Sequence, residues 1–249
     1  MHIKLCFLLL QVLLYCKLVE KGTIIFDLDE TLAHCSIKNV HLSDYQITIV
    51  QENGMETLIG VNIRPHTISC LTELSKYFEL IVFTASHRNY ADRVIDIFDP
   101  SRTLFSHRLF RDSCIQINKG LYIKDLRILN RDLSKVLLVD NFILSFAFQL
   151  DNGVPIIPFY NSKADMVLLG LKEYLLSLCE VGDFRENNIE KFGLRYLFDL
   201  NVQKCLKDFL LRMMCHTPPK QDGDFALPRK RKSVPLHEPL SLKKVKETD

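Results

Sequence analysis

The chain has 249 residues, of which 47% are hydrophobic and 25% are charged, and its formal net charge is +2. This length suits one substantial core with extensions, and so small a net charge gives no indication of direct nucleic-acid binding. The eight cysteines include no C-x-x-C pair, which argues against a zinc site and a dense disulfide framework. Reduced, mostly buried cysteines favour the cytosol or the nucleus.

Residues 1–20 contain an apolar run, over residues 5–16, that follows a single lysine. The run has the length of the hydrophobic part of a signal peptide and is shorter than a membrane span of about 20 residues. No clear small-x-small cleavage site follows it. A secretory signal, weak membrane attachment, a packed N-terminal helix and a misplaced gene start therefore remain open interpretations.

The first predicted strand, Thr23–Phe26, is an apolar run that is followed closely by two acids, Asp27 and Asp29. Such a strand delivers its acids to the carboxyl edge of a parallel sheet, where open α/β folds bind ligands. Two carboxylates this close together are costly to hold without a cation between them. The pair therefore predicts a Mg²⁺ site.

A β-hairpin is predicted next, because residues 45–50 and residues 57–61 are strand-like and Asn53-Gly54 lies between them. The hairpin leaves directly from the end of the first strand. We therefore expect it to lie near the mouth of the site.

Strands and helices alternate along the rest of the predicted domain. A helix is expected to have Pro65 at its first position and to bury Ile68. Further helices are predicted over residues 90–97, 164–179 and 186–214, and further strands over residues 80–83, 135–139 and 154–159. A second small β insertion is predicted around residues 118–120. The pattern predicts a Rossmann-like α/β fold, in which a parallel sheet carries helices on both faces.

Three of the predicted strands are followed by or end in polar residues, which are Asp27, Thr84 and Asp140. The carboxyl ends of parallel strands meet at one edge of a sheet. We therefore expect these three side chains to converge.

The predicted domain extends over residues 21–200, and a helical extension is expected over residues 201–216. The composition changes in residues 217–249, which hold five of the nine prolines and few apolar residues. This composition is typical of a disordered tail. The basic run over residues 228–232 fits a nuclear localisation signal, and it fits a solvated tail without an address equally well.

Several blocks of sequence resemble, in order, those of a known enzyme family. The blocks are residues 27–36, 83–86, 107–114, 122–126, 130–133 and 140–141. They resemble the small RNA-polymerase-II C-terminal-domain phosphatases and their phosphatase-like relatives, a branch of the haloacid-dehalogenase-type phosphatases. Asp27, Asp29 and Thr31 match the D-x-D-x-T motif that opens this series. The resemblance implies the haloacid-dehalogenase fold with small β-hairpin insertions instead of a large cap.

The resemblance also implies a catalytic role for each matching side chain. Asp27 is expected to attack phosphorus and form an aspartyl-phosphate. Asp29 is expected to protonate the leaving oxygen and then to deprotonate the attacking water. Thr84 is expected to hydrogen-bond a phosphoryl oxygen, and Lys124 to balance the charge of the nucleophile and the phosphate.

A cofactor and a substrate surface follow from the same resemblance. Mg²⁺ is expected to be held by Asp27, by the main chain near Asp29, and by Asp140 and Asn141. The side chains expected to bind the substrate are those of Thr31, Tyr90 and Arg111.

Two positions depart from the family's pattern. After Asp140 and Asn141 the family usually continues with serine or threonine and then proline, whereas this chain has Phe142 and Ile143. The loop that positions the metal-side residues is therefore expected to differ. Near Ile37 the nuclear small phosphatases usually carry an aromatic residue that helps to form a proline-binding pocket. Because this chain has isoleucine there, the implied preference for the polymerase tail is weakened.

The function implied by the resemblance is a Mg²⁺-dependent protein serine/threonine phosphatase of the nucleus or cytoplasm. Its expected partner is a phosphorylated protein or peptide, of which the RNA polymerase II C-terminal domain is one candidate. A non-catalytic binding module is the alternative, since the same domain serves as a presequence receptor in the mitochondrial inner-membrane translocase. A phosphatase for small metabolites is a third interpretation, but the short insertions favour an open site for a peptide over a capped one.

Overall fold

The computed structural model describes residues 21–50, 54–118 and 120–196. The predicted N-terminal segment of residues 1–20, the helical extension of residues 201–216 and the basic tail of residues 217–249 lie outside the described residues. Within the described ranges, no helix is long and apolar enough to span a bilayer.

Strands and helices alternate over most of the described chain. The strands are β1 (Thr23–Phe26), β2 (Ala33–Ser36), β3 (Tyr45–Val50), β4 (Glu56–Ile63), β5 (Glu79–Phe83), β6 (His107–Leu109), β7 (Ile115–Asn118), β8 (Leu121–Ile123), β9 (Val136–Asp140) and β10 (Gly153–Pro155). The α-helices are α1 (Thr67–Leu74), α2 (Arg88–Phe98), α3 (Val167–Leu176) and α4 (Phe184–Phe192).

The central sheet is parallel and has the strand order β10-β9-β1-β5-β6. Strand β1 lies in the middle, where Phe26 is in register with Val82 of β5 and with Val139 of β9. Because these strands run in the same direction and end at the same level, Asp27 follows β1 beside Asp140, the last residue of β9. This register brings the ends of β1 and β9 together, as the sequence predicted.

Both faces of the sheet are covered. Alternate residues of a strand point to opposite faces, and in β1 the side chain of Phe26 packs in one core while that of Ile25 packs in the other. The α-helices contribute Leu71, Val94 and Leu168, among others, to the core that contains Phe26. The second core is closed largely by 3-10 turns over residues 126–129 and 143–146. The predicted α/β fold is confirmed, with α-helices mainly on one face and shorter helical turns on the other.

Two small β insertions accompany the central sheet. Strands β3 and β4 form the predicted antiparallel hairpin, with Thr48 opposite Leu58. Strand β2 joins the other edge of β4 and makes a three-stranded sheet that the sequence did not predict. Strands β7 and β8 form the second insertion, a two-stranded sheet. The hairpin and the second insertion confirm the predicted pattern.

Helix α1 begins two residues later than predicted. Pro65 precedes the helix, His66 has a left-handed backbone with φ 69° at the N-cap, and Ile68 is 54% exposed. The reason is a turn that is tied to the residue preceding β2. The Arg64 amide donates to the Leu32 carbonyl at 2.9 Å, which holds this segment in a turn until Thr67.

Two other elements differ from the prediction. The helix predicted over residues 186–214 is interrupted: α4 ends at Phe192, because Gly193, with φ 53°, has the left-handed conformation that commonly terminates a helix. Residues 194–196 are helical again, and residues 197–214 lie outside the described part of the chain. Strand β10 ends at Pro155, and the next amide, that of Ile156, still donates to the Asp140 carbonyl of β9 at 3.2 Å.

Candidate active site

Three charged side chains meet at the carboxyl edge of the central sheet. Lys124, just after β8, donates one hydrogen bond to Asp27 and another to Asp140, each at 2.6 Å. All three side chains are buried. The structure thus brings together two predicted strand-end acids and the predicted lysine around one ammonium group.

The electrostatics of this cluster reflect an excess of carboxylates. Burial raises the pKa of Asp27 to about 8; Lys124 acts to lower this pKa, and Asp140 and Asp29 act to raise it. Burial lowers the pKa of Lys124, but Asp140 and Asp27 outweigh it, so that this pKa lies above its ordinary value. A further positive charge would therefore stabilise the cluster.

The turn after β1 fixes the orientation of Asp27. The Leu28 carbonyl accepts hydrogen bonds from the amides of Thr31 and Leu32, and Glu30 has a left-handed backbone with φ 59°. Thr31 is fully buried, and its hydroxyl donates to Asp27 Oδ2 at 3.3 Å. This position suits a side chain that orients Asp27, the predicted nucleophile, better than it suits the predicted contact with substrate.

The carboxylate of Asp29 faces away from Lys124 and toward the loop between β5 and α2. The Tyr90 hydroxyl donates to Oδ1 at 2.6 Å, and the Ser86 hydroxyl donates to Oδ2 at 2.6 Å. The Thr84 hydroxyl donates to the same Oδ2 at 3.3 Å. Tyr90, predicted to bind substrate, therefore contacts the predicted acid-base residue directly.

The loop after β9 positions Asp140 despite its unusual sequence. The Phe142 amide donates to Asp140 Oδ1 at 2.7 Å, and the Lys124 amide donates to the Ser145 carbonyl at 3.2 Å. Asn141 is the residue between Asp140 and Phe142, directly after the end of β9. The Phe142 amide is a main-chain group, so serine or threonine is not required at this position to hold the carboxylate.

Arg111 lies between the two elements that carry Thr84 and Lys124. Its Nε donates to the Ala85 carbonyl at 2.6 Å, its Nη1 lies 2.7 Å from His87 Nε2, and its guanidinium is 5.0 Å from the centre of the Tyr122 ring. Arg111 is half-buried at the rim of the site. The substrate contact of Arg111 stays a prediction.

Sequence reasoning missed two residues that shape the site. Ser86 has no predicted role, although its spacing from Thr84 places both hydroxyls on Asp29. Arg64 is fully buried and donates to the Thr31 carbonyl, the Ile157 carbonyl and both oxygens of Asp165. An arginine at a predicted helix start carries no sequence signal for such a buried contact.

The oxygen ligands at this edge fit a magnesium ion. Within the described ranges, no group of three or more His, Cys, Asp or Glu side chains is arranged to hold a metal. Magnesium, however, is usually held by one or two carboxylates together with water and phosphate oxygens. Asp27 and Asp140 supply two buried carboxylates that share the single ammonium group of Lys124.

Comparison with known proteins gives matches over most of the chain. Residues 22–185 match the family model of the NLI interacting factor-like phosphatases. "CTD small phosphatase-like protein 3" of Caenorhabditis elegans is 41% identical over 174 residues, which are 70% of this chain and 60% of that protein. The human "Carboxy-terminal domain RNA polymerase II polypeptide A small phosphatase 1" is 39% identical over 164 residues, which are 66% of this chain and 62% of that protein.

The chain thus spans less than two thirds of the length of either relative. A solved structure, "The Structure of Fcp1, an essential RNA polymerase II CTD phosphatase", is similar in fold, with a TM-score of 0.50 and 18% sequence identity. The similarity covers 76% of this chain and 55% of that one. Because the family model matches well over half of the residues, the chain belongs to the NLI interacting factor-like phosphatases.

Proposed function

We propose that this chain is a Mg²⁺-dependent phosphoprotein phosphatase that hydrolyses phosphoserine or phosphothreonine through an aspartyl-phosphate on Asp27. The observation that carries the proposal is the buried contact of Asp27 with Lys124 at 2.6 Å, at the end of the central strand. A carboxylate held beside an ammonium can approach a dianionic phosphate with less repulsion than an isolated one.

Two proton transfers accompany the chemistry. A carboxylate oxygen of Asp27 bonds to phosphorus, and the bond from phosphorus to the serine or threonine oxygen breaks as Asp29 gives that oxygen its proton. Water then attacks the aspartyl-phosphate while Asp29 takes a proton from it. The bond from Asp27 to phosphorus breaks, which releases phosphate and regenerates both carboxyl groups.

Other side chains neutralise and orient the phosphate. Lys124 balances the negative charge of Asp27 and the phosphoryl oxygens, and Thr84 supplies a hydroxyl at the end of β5. Mg²⁺ would be held by Asp27, Asp140, Asn141 and the main chain near Asp29, where it would supply further positive charge. The Asp29 carboxylate already faces three hydroxyls, which supports a main-chain role toward the metal.

A peptide substrate fits the architecture better than a small metabolite. The insertions around the site are a three-stranded and a two-stranded sheet, and Arg111 stands at the rim. A guanidinium at this place suits a phosphorylated or acidic polypeptide. The name of the human relative makes the RNA polymerase II C-terminal domain a candidate substrate. A nuclear or cytoplasmic location stays a prediction.

The decisive experiment is hydrolysis of 4-nitrophenyl phosphate by the full chain in Mg²⁺ or in EDTA, beside the Asp27→Asn variant. We expect turnover with Mg²⁺, none with EDTA and none in the variant. Asp151→Asn is the matched control, since it makes the same change in a surface carboxylate paired with Arg195. A folded protein that shows no Mg²⁺-dependent turnover rejects the proposal, and turnover retained by Asp27→Asn rejects Asp27 as the nucleophile.

A further inference from the structure

Two hydroxyl groups hold the carboxylate of Asp29 from both of its oxygens. Ser86 donates to Oδ2 and Tyr90 donates to Oδ1, and each distance is 2.6 Å. Short hydrogen bonds to a carboxylate are among the stronger ones in proteins. Because both oxygens have a donor, and Oδ2 also accepts from Thr84 at 3.3 Å, rotation of the carboxyl group breaks at least one of these bonds.

Ser86 is itself fixed by main-chain contacts. Its amide donates to the Thr84 hydroxyl at 3.0 Å, and its carbonyl accepts from the Arg111 amide at 3.0 Å. These bonds tie the loop after β5 to the turn that follows β6. The Ser86 hydroxyl therefore lies on a rigid segment and approaches Asp29 from a defined direction.

Tyr90 is fixed by the helix on which it lies. Asn89 and Arg93, its neighbours on α2, donate to the carbonyls of Val50 and Thr48 at the edge of β3. The Tyr90 ring also packs against the core that contains Phe26. The two hydroxyls thus come from separately anchored elements, and both reach the same carboxylate.

We propose that Ser86 and Tyr90 are positioning residues that hold Asp29 in the orientation from which it exchanges protons with the leaving oxygen and with water. This inference rests on the proposed function, because it assigns to these residues the orientation of the proposed acid and base. It gives Tyr90 a role apart from the predicted contact with substrate. Neither residue needs to touch phosphorus or its oxygens.

If Ser86 and Tyr90 position Asp29, their loss affects two kinds of substrate unequally, whereas loss of a purely structural residue affects both alike. A serine alkoxide is a poor leaving group and needs a proton as it departs, whereas 4-nitrophenolate departs without one. A misplaced Asp29 therefore slows phosphoryl transfer from a phosphoserine peptide more than transfer from 4-nitrophenyl phosphate. Hydrolysis of the aspartyl-phosphate needs Asp29 as a base with either substrate, so it slows in both cases.

The experiment compares Ser86→Ala and Tyr90→Phe with the wild-type full chain on both substrates in Mg²⁺. We expect kcat/KM for the phosphoserine peptide to fall roughly tenfold or more, and kcat/KM for 4-nitrophenyl phosphate to fall by less than about threefold. A rapid-mixing measurement with 4-nitrophenyl phosphate should show a burst of nitrophenol near one equivalent in the variants, because the intermediate accumulates. Ser86→Thr keeps the hydroxyl and should restore the wild-type ratio of the two substrates.

Ser69→Ala is the matched control, since the Ser69 hydroxyl is exposed and donates only to the His66 carbonyl within the described part of the chain. Equal losses on both substrates, or no loss, in Ser86→Ala and Tyr90→Phe would overturn the positioning role while leaving the proposed function intact. A wild-type chain that hydrolyses neither substrate would overturn the proposed function and this inference together. Thermal unfolding of each variant separates loss of fold from loss of orientation.

Discussion

Lys124 Nζ lies 2.6 Å from Asp27 Oδ1, and both side chains are buried. The same ammonium contacts Asp140 at 2.6 Å, so one positive charge serves two carboxylates. Such a contact has a structural as well as a chemical consequence, because the two acids need a cation at the strand ends before any substrate binds.

Replacing Lys124 with methionine should abolish turnover and destabilise the fold. The change leaves two buried carboxylates without their ammonium, and breaking a buried ion pair in this way costs about 3–5 kcal/mol. Urea unfolding in EDTA at neutral pH measures the free energy, and 4-nitrophenyl phosphate hydrolysis measures the activity.

A second variant tests the reason for that loss. Adding Asp140→Asn to Lys124→Met removes one of the two buried charges left without an ammonium, and it should recover part of the lost stability without recovering turnover. Lys76→Met is the control, since Lys76 is exposed and its surface pair with Glu73 should contribute little to stability. A double variant that is less stable than Lys124→Met alone would contradict the explanation by buried charge.

The position of the site could be predicted from sequence because strand ends are encoded simply. Apolar runs that stop at Asp27, Thr84 and Asp140 need only the rule for parallel sheets to converge. The orientation of Asp29 could not be predicted in this way. It depends on the left-handed backbone of Glu30 and on hydroxyls from another loop, and neither follows from a pattern of apolar residues.

The start of α1 shows the same limit. Pro65 is a favourable first residue of a helix, and local preference alone places the helix there. The observed start at Thr67 follows from contacts of Arg64 with the Leu32 and Thr31 carbonyls, which lie more than 30 residues earlier in the chain. Long-range hydrogen bonds of this kind override local preference and leave no local signal.

Restoring the family's serine after Asn141 should change kcat/KM little. In Phe142→Ser the main-chain amide that donates to Asp140 remains, so we expect kcat/KM within about threefold of wild type. Phe142→Pro removes that amide proton, and the loss of a hydrogen bond to a charged group, about 1.5–3 kcal/mol, should reduce kcat/KM by roughly tenfold or more. Phosphatase assays at several Mg²⁺ concentrations measure kcat/KM for both variants. A large gain in Phe142→Ser would show instead that the side chain limits activity.

Replacing Arg64 with lysine should weaken both stability and catalysis. Lysine keeps the charge but lacks the fork that contacts both oxygens of Asp165 and the Thr31 carbonyl. We expect a loss of about 2–4 kcal/mol in unfolding free energy and a lower kcat, because the turn beside Asp27 loses its support.

The control for this change is Arg102→Lys, at an exposed arginine that pairs with Asp96. That variant should unfold with nearly the free energy of the wild type, because exposed ion pairs contribute little to stability. If Arg64→Lys is as active and stable as Arg102→Lys, the buried guanidinium does not support the turn.

Glu79, at the opposite edge of the sheet, should give stability that depends on pH without affecting catalysis. It accepts hydrogen bonds from Thr23, Ser106 and Arg131, each at 2.9 Å. Burial would raise the pKa of Glu79, but the hydrogen bonds from these three residues outweigh it and hold the pKa below its ordinary value. The stabilisation is therefore present above the unfolded-state pKa of about 4.3 and is lost as pH falls through the folded value.

Glu79→Gln should lower the free energy of unfolding by about 3 kcal/mol near neutral pH, and by less in acid, with kcat unchanged. Glu56→Gln, at an exposed strand position, is the control; a deficit in Glu79→Gln that stays constant with pH would mean that the charge of Glu79 is not what stabilises this edge.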